Sequence, residues 1–223
     1  MFAGQFEPLK PLQPWVGKVY LQLILNKPDW FPDRSRASLV PALRDLYPHG
    51  PEDSIFQQLK DVAADEQFES DSLRRALSFA LAQWGDRSIV QPMLDELQSN
   101  VDKGETMDDL YFVGKLAIAH YELREYRKSG KFWLRYLRQR EALDSPATPL
   151  DYYNAACSLS LSGDIPEALA ELENASKHML SGNADPSRHI DRKLFDSDPE
   201  LRAIRHTKRF RELVEKTYGD RDR

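Results

Sequence analysis

TPLDYYNAACSLSLSGDIPEALAELENASK, residues Thr148 to Lys177, decides how the chain is read. Apolar residues recur at helical spacing on both sides of Ser162-Gly163-Asp164, which predicts two amphipathic helices joined by a tight turn. Small residues at Ala155, Ala156, Ala168 and Ala175 fall where the two helices would cross closely. A hairpin of this size cannot bury its apolar face alone and must stack on neighbours. The expected fold class is therefore all-α.

The stretch resembles a tetratricopeptide (TPR) hairpin. Tyr152, Ala155, Ala156 and Leu159 fill the family's positions on the first helix, and Ala168, Leu172 and Ala175 those on the second. Tyr stands where Trp is common, and Ala where the first helix usually has Gly. Laid against this stretch at an offset of 39, the preceding segment places Leu116 on Ala155, Ala117 on Ala156, Tyr126 on Ile165, Ser129 on Ala168 and Trp133 on Leu172. It reads as a second, slightly enlarged TPR-like unit, the extra residues falling in the loop Asp144 to Thr148. Tyr136 takes a position usually held by a small residue.

Upstream, an offset of 34 pairs Ser38 with Ser72, Leu39 with Leu73, Ala42 with Ala76, Leu43 with Leu77, Ser54 with Ser88 and Ile55 with Ile89. So many coincidences mark a repeat. Each copy is predicted as a helical pair, Ser35 to Tyr47 with Glu52 to Ala64, then Ser70 to Trp84 with Ser88 to Gln98. The second copy, from Ser72 to Gln98, resembles a short bacterial HEAT repeat. Before it, Trp15, Val16, Val19, Tyr20, Leu23 and Ile24 predict a lead helix that begins at Pro14 and ends near Asn26-Lys27-Pro28.

The last segment resembles the closing element of bacterial TPR arrays through Asp198-Pro199-Glu200-Leu201 and Arg209-Phe210. Leu201, Ile204, Phe210, Leu213 and Val214 would cover the apolar face of the last repeat, as a terminal cap must. The expected organisation is a linker (1–13), a lead helix (14–30), HEAT-like repeats (31–103), two TPR-like repeats (104–181) and a helical cap (182–223). These resemblances imply a right-handed α-α superhelix, or solenoid.

The chain has 223 residues, 41% of them hydrophobic, enough for a substantial core. With 30% charged residues and a net charge of −5, nucleic acid is not the expected partner, and any such activity needs a local patch. A single cysteine, Cys157, excludes an internal disulfide framework and a cysteine-based metal cluster. It leaves the redox compartment open, with the cytoplasm as the working expectation. The most apolar stretch, Trp15 to Leu25, is too short for a membrane span and contains Lys18. The opening MFAGQFEPLKPLQP reads as a linker rather than a signal peptide, and the module is expected to belong to a larger bacterial protein.

No catalytic constellation stands out. The histidines, His49, His120, His178, His189 and His206, do not pair at i, i+3 or i+4, so no metal site and no cofactor are expected. Cys157 and His120 occupy nearby positions on the first helices of adjacent hairpins. The ordinary reading is a buried thiol and a groove histidine, since nothing in the pattern lowers the thiol pKa.

In TPR arrays the first helices line the concave surface. The resemblance carries that role to Tyr111, Lys115, Ile118 and Glu122 of one unit and to Tyr153, Asn154, Cys157 and Leu161 of the next. Two tyrosines with an amide and an amine suit peptide binding. The expected function is that of a non-catalytic protein–protein interaction or scaffold module, binding a protein or peptide in this groove. On this reading Tyr153→Ala with Asn154→Ala abolishes partner capture and leaves the helical content unchanged. The alternative is nucleic-acid or anionic-surface binding through a basic face of Arg124, Arg127, Lys128, Lys131, Arg135 and Arg138, with Trp133 beside it. The first reading of that face is a solvated one balanced by Glu122, Glu125 and Glu141. A second basic set, Arg202, Arg205, Lys208, Arg209 and Arg211, lies in the cap.

Overall fold

In a computed structural model, which describes residues 13–26, 33–68, 70–102, 107–181 and 190–219, every regular element is helical. The fold is all-α, and neighbouring helices pack largely in chain order. The chain divides into two compact units, 1–95 and 96–223. The expected linker (1–13), the end of the lead-helix segment and the loop before the cap lie outside the described residues, apart from Gln13 and residue 26.

The first unit contains α1 (Gln13–Leu25), α2 (Asp33–Leu46), α3 (Asp53–Ala64), α4 (Asp71–Gln83) and the start of α5 (Val90–Val101). The sequence reading pairs α2 with α3 as a hairpin. Among the described residues, however, α2 packs chiefly on α1 and α4, and α3 packs on α4. The reason lies in the apolar faces. α3 fully buries only Leu59 and Ala63, enough to cover one neighbour, whereas α4 buries Leu73, Leu77, Phe79, Ala80 and Leu81 and serves as the central helix.

Local chemistry fixes the ends of these helices. Ser70 caps α4 by accepting from the Leu73 amide at 3.3 Å. Beyond α4, the Trp84 indole donates to the Tyr47 carbonyl at 2.7 Å and ties the α2 end to the α4 end. Gly17 is buried because α1 runs against Tyr47; a Cβ there would lie 2.7 Å from the tyrosine ring.

The second unit continues through α6 (Met107–Glu122), α7 (Tyr126–Ala142), α8 (Pro149–Ser162) and α9 (Ile165–Leu180), each packed on the next. The small residues permit this close succession: Ala117, Ala155, Ala156, Ala168 and Ala175 are all fully buried. Tyr136 lies half-buried against Gly114, and its hydroxyl accepts from Arg140 at 3.0 Å. α8 begins in a capping box, with Thr148 and Asp151 exchanging side-chain to backbone bonds and Pro149 in the first turn. It ends at Gly163, whose φ of 87° is the left-handed cap that glycine adopts without strain.

The cap comprises α10 (Arg192–Ser197), a 3-10 turn (Pro199–Leu201), α11 (Arg202–Arg205) and α12 (Lys208–Tyr218). Asp191, Asp198 and Thr207 each accept from a backbone amide at the start of one of these short elements. The 3-10 turn packs on α8, α11 on α8 and α9, and α12 on α9. Leu201, Ile204, Phe210, Leu213 and Val214 are buried with Phe195 in one core that includes Ala156, Cys157, Leu172 and Ala175. Each large side chain so buried contributes about 1.5–3 kcal/mol. That is ample to hold elements too short to be stable alone.

Candidate functional site

The α6 stripe of Tyr111, Lys115, Ile118 and Glu122 lies on one helix face, as the spacings of four, three and four require. Tyr111 is 61% exposed and Ile118 39% exposed, while Lys115 and Glu122 are half-buried. The Lys115 ammonium lies 5.1 Å from the centre of the Tyr111 ring, and the Phe112 ring meets Tyr111 edge-on at 5.4 Å. The result is an open aromatic and aliphatic strip with a cation held over its largest ring.

The α8 half of the expected groove is different. Tyr153 and Cys157 are each only 3% exposed, and Asn154 and Leu161 are half-buried. What covers Tyr153 and Cys157 is the chain's own cap. The Tyr153 hydroxyl donates to Asp198 Oδ2 at 2.6 Å, and its ring lies 5.5 Å from that of Phe195. At the penultimate residue of α6, Tyr121 donates its hydroxyl to Glu200. The Cys157 thiol donates to Glu200. Tyr153 and Cys157 are therefore inter-element packing residues rather than open groove residues. The pair Tyr153→Ala with Asn154→Ala would damage the core and does not leave the fold unchanged.

Burial is the largest influence on this cluster. It pushes the Tyr121 and Tyr153 hydroxyls and the Cys157 thiol well above their ordinary values, and nearby Asp198 and Glu200 add to the effect. Burial likewise raises the Glu200 carboxyl, against hydrogen bonds from Tyr121 and Cys157 that lower it. The thiol is a neutral packing group at physiological pH. His120 is not its partner: the imidazole bonds Glu125 through Nδ1 at 2.6 Å and stacks on Phe132 at 5.3 Å.

Asp198, Glu200 and Tyr121 are the residues that sequence reasoning missed as part of this face. Asp198-Pro199-Glu200-Leu201 was legible as a cap, but nothing local says that its carboxylates meet tyrosines from two other helices. In sequence, Asp198 is simply a helix-starting residue, and it is one: its Oδ1 accepts from the Glu200 amide at 2.9 Å.

The basic residues do not act as one surface. Arg127, Lys131 and Arg138 are exposed along one side of α7, but Arg124 sits in the preceding turn at φ 58°. Lys128 reaches Glu125 at 3.1 Å, and Arg135 donates to the Val101 carbonyl at 3.2 Å. Trp133 is buried with Ala117, Leu137, Ala147 and Ala155. In the cap, Arg209 binds the Glu173 carboxylate in a fork at 2.6 and 2.9 Å, Lys208 reaches Glu212, and Arg205 donates to the Asp198 carbonyl. Arg202 and Arg211 remain exposed.

Among the described residues no helix is long and apolar enough to cross a membrane. Comparison of the chain with models of known protein families, with curated proteins and with solved structures finds no match.

Proposed function

We propose that the chain is a non-catalytic protein–protein interaction module of helical-repeat type, which binds a peptide or partner protein along the open face of α6. The observation that carries this reading is the exposure of Tyr111 and Ile118 on the same face as Lys115. A tyrosine ring offers a large contact area with little rotamer entropy to lose, the isoleucine extends the apolar surface, and the ammonium orients an acceptor. The TPR resemblance of residues 104–181 supports the same face, because first helices line the ligand surface of that family.

The binding face is accordingly shorter than the sequence alone predicts: Tyr153 and Cys157 drop out, and Tyr111, Lys115, Ile118 and Glu122 remain. Tyr111→Ala combined with Ile118→Ala tests it. The expected result is loss of the specifically captured protein in a pull-down, with helical circular dichroism and melting temperature unchanged. Capture of the same protein by the double variant overturns the assignment. The alternative, an anionic ligand on Arg127, Lys131 and Arg138, receives less support because Trp133, Arg135 and Lys128 are engaged elsewhere. A steep loss of affinity between low and moderate salt would favour it.

A further inference from the structure

Among the described residues, the donors that reach the two carboxylates of the turn Asp198 to Leu201 are uncharged. Asp198 Oδ1 accepts from the Glu200 amide and Oδ2 from the Tyr153 hydroxyl. Glu200 accepts from the Tyr121 hydroxyl and bonds the Cys157 thiol. The Cys157 sulfur and one carboxylate oxygen each of Asp198 and Glu200 all lie within 4.8 Å of one another. The charged and titratable groups around them are Tyr121 and Glu122 from α6, Tyr153 and Cys157 from α8, and Arg205 from α11. Arg205 gives its guanidinium to the Asp198 backbone carbonyl, and Glu122 adds a like charge. Two ionised carboxylates so close, half removed from water, repel each other with only neutral donors to offset them. A proton on one of them relieves that repulsion.

We propose that Glu200, with Asp198 and Cys157 beside it, is a proton-binding site that latches the C-terminal cap onto α6 and α8, so that docking of the cap is linked to pH. Each Asp198 oxygen already has a donor, the Glu200 amide on Oδ1 and the Tyr153 hydroxyl on Oδ2. Glu200 takes the proton. Its carboxyl is raised above the ordinary 4.5 chiefly by burial, with Asp198 and Glu122 contributing and the Tyr121 bond opposing. A group whose folded value is raised stabilises the folded form most where it is protonated in both states. The latch is therefore fully set below about pH 4.5 and weakens as pH rises through the docked value. This goes beyond the proposed binding face and does not rest on it, since it concerns how the α8 face is kept closed.

The test uses the full chain. Carbon-13 labelling of the glutamate carboxyls, with Glu200→Gln for assignment, reads the Glu200 titration directly. A midpoint above 4.5 is expected, and one at or below 4.5 overturns the proposal. The melting temperature of Glu200→Gln minus that of the parent should increase as pH rises from 5 to 8, because the amide never ionises. A difference independent of pH overturns the proposal, since a purely structural role gives a constant offset. Should Glu200→Gln fail to fold, Tyr121→Phe removes a donor that favours the carboxylate and should move the titration to higher pH. No movement, or movement to lower pH, rejects the latch.

Discussion

Ser129 of α7 and Ser158 of α8 meet hydroxyl to hydroxyl at 2.9 Å, and Ser129 donates onward to the Ala117 carbonyl of α6 at 2.8 Å. A serine hydroxyl has one proton, so with that of Ser129 committed to Ala117, Ser158 is the donor within the pair. The Asn154 carbonyl, 3.1 Å from Ser158, is the competing acceptor. Three consecutive helices are thus joined by one chain of bonds through a crossing that only small side chains permit. Both serines are fully buried.

From this junction, Ser129→Ala is expected to lower stability by about 1 kcal/mol, the usual net worth of a buried hydrogen bond. Ser129→Leu should cost more, because the extra volume forces α7 from α8. Urea unfolding of the two variants checks the order. A leucine variant as stable as the alanine one would mean that the crossing has room to spare.

In the first unit, Arg36 is 1% exposed and donates through Nε to the Ile24 carbonyl at 3.1 Å, with its guanidinium 5.2 Å above the Phe68 ring. Ile24 belongs to the last turn of α1, where carbonyls lack a partner within the helix. Arg36→Met keeps the apolar stem and removes the donors, leaving a buried carbonyl unsatisfied at a cost of about 1–3 kcal/mol. Amide hydrogen exchange should accelerate in Gln13–Leu25. Unchanged protection there would show that α1 is held by its apolar face alone.

The Lys60 ammonium lies 2.6 Å from Asp86, which also accepts from the Ser88 amide at 2.9 Å. The hydrogen bond from Lys60, then those from Ser88, hold the Asp86 carboxyl at about 2, below its ordinary 3.8. A depressed carboxylate stabilises the fold above its unfolded value and loses that contribution as pH falls through the folded one. Asp86→Asn should therefore melt below the parent at pH 7, and the gap should close between pH 3.8 and about 2. Added salt should narrow the gap at neutral pH, since both side chains are partly exposed. A gap constant from pH 7 to 2 would show that the ionised Asp86 carboxylate contributes nothing to stability and would overturn the prediction.

The helices themselves were legible because their signals are local. The 3.6-residue period, Pro149 and Gly163 at the ends of α8, and the alanines at the crossings place most helix ends to within two residues, although α5 runs three residues past the expected Gln98. The pairing of α2 with α4 was not legible. Apolar periodicity gives the width of a face but not which neighbour covers it, and the narrow stripe of α3 yields to the broader one of α4.

The candidate site divides along the same line. Tyr111, Lys115, Ile118 and Glu122 could be placed on one face from their spacing, because a single helix sets their relative directions. Tyr153 and Cys157 obey the same spacing on α8, yet a segment more than forty residues further along closes over them. The sequence alone determined that this chain is a series of short amphipathic helices with small residues at their crossings and an apolar cap. Only the tertiary structure decided which part of the tyrosine-bearing face stays open. Backbone period is a property of neighbours along the chain, whereas the burial of a hydroxyl or a carboxylate depends on partners that the chain brings together from far apart.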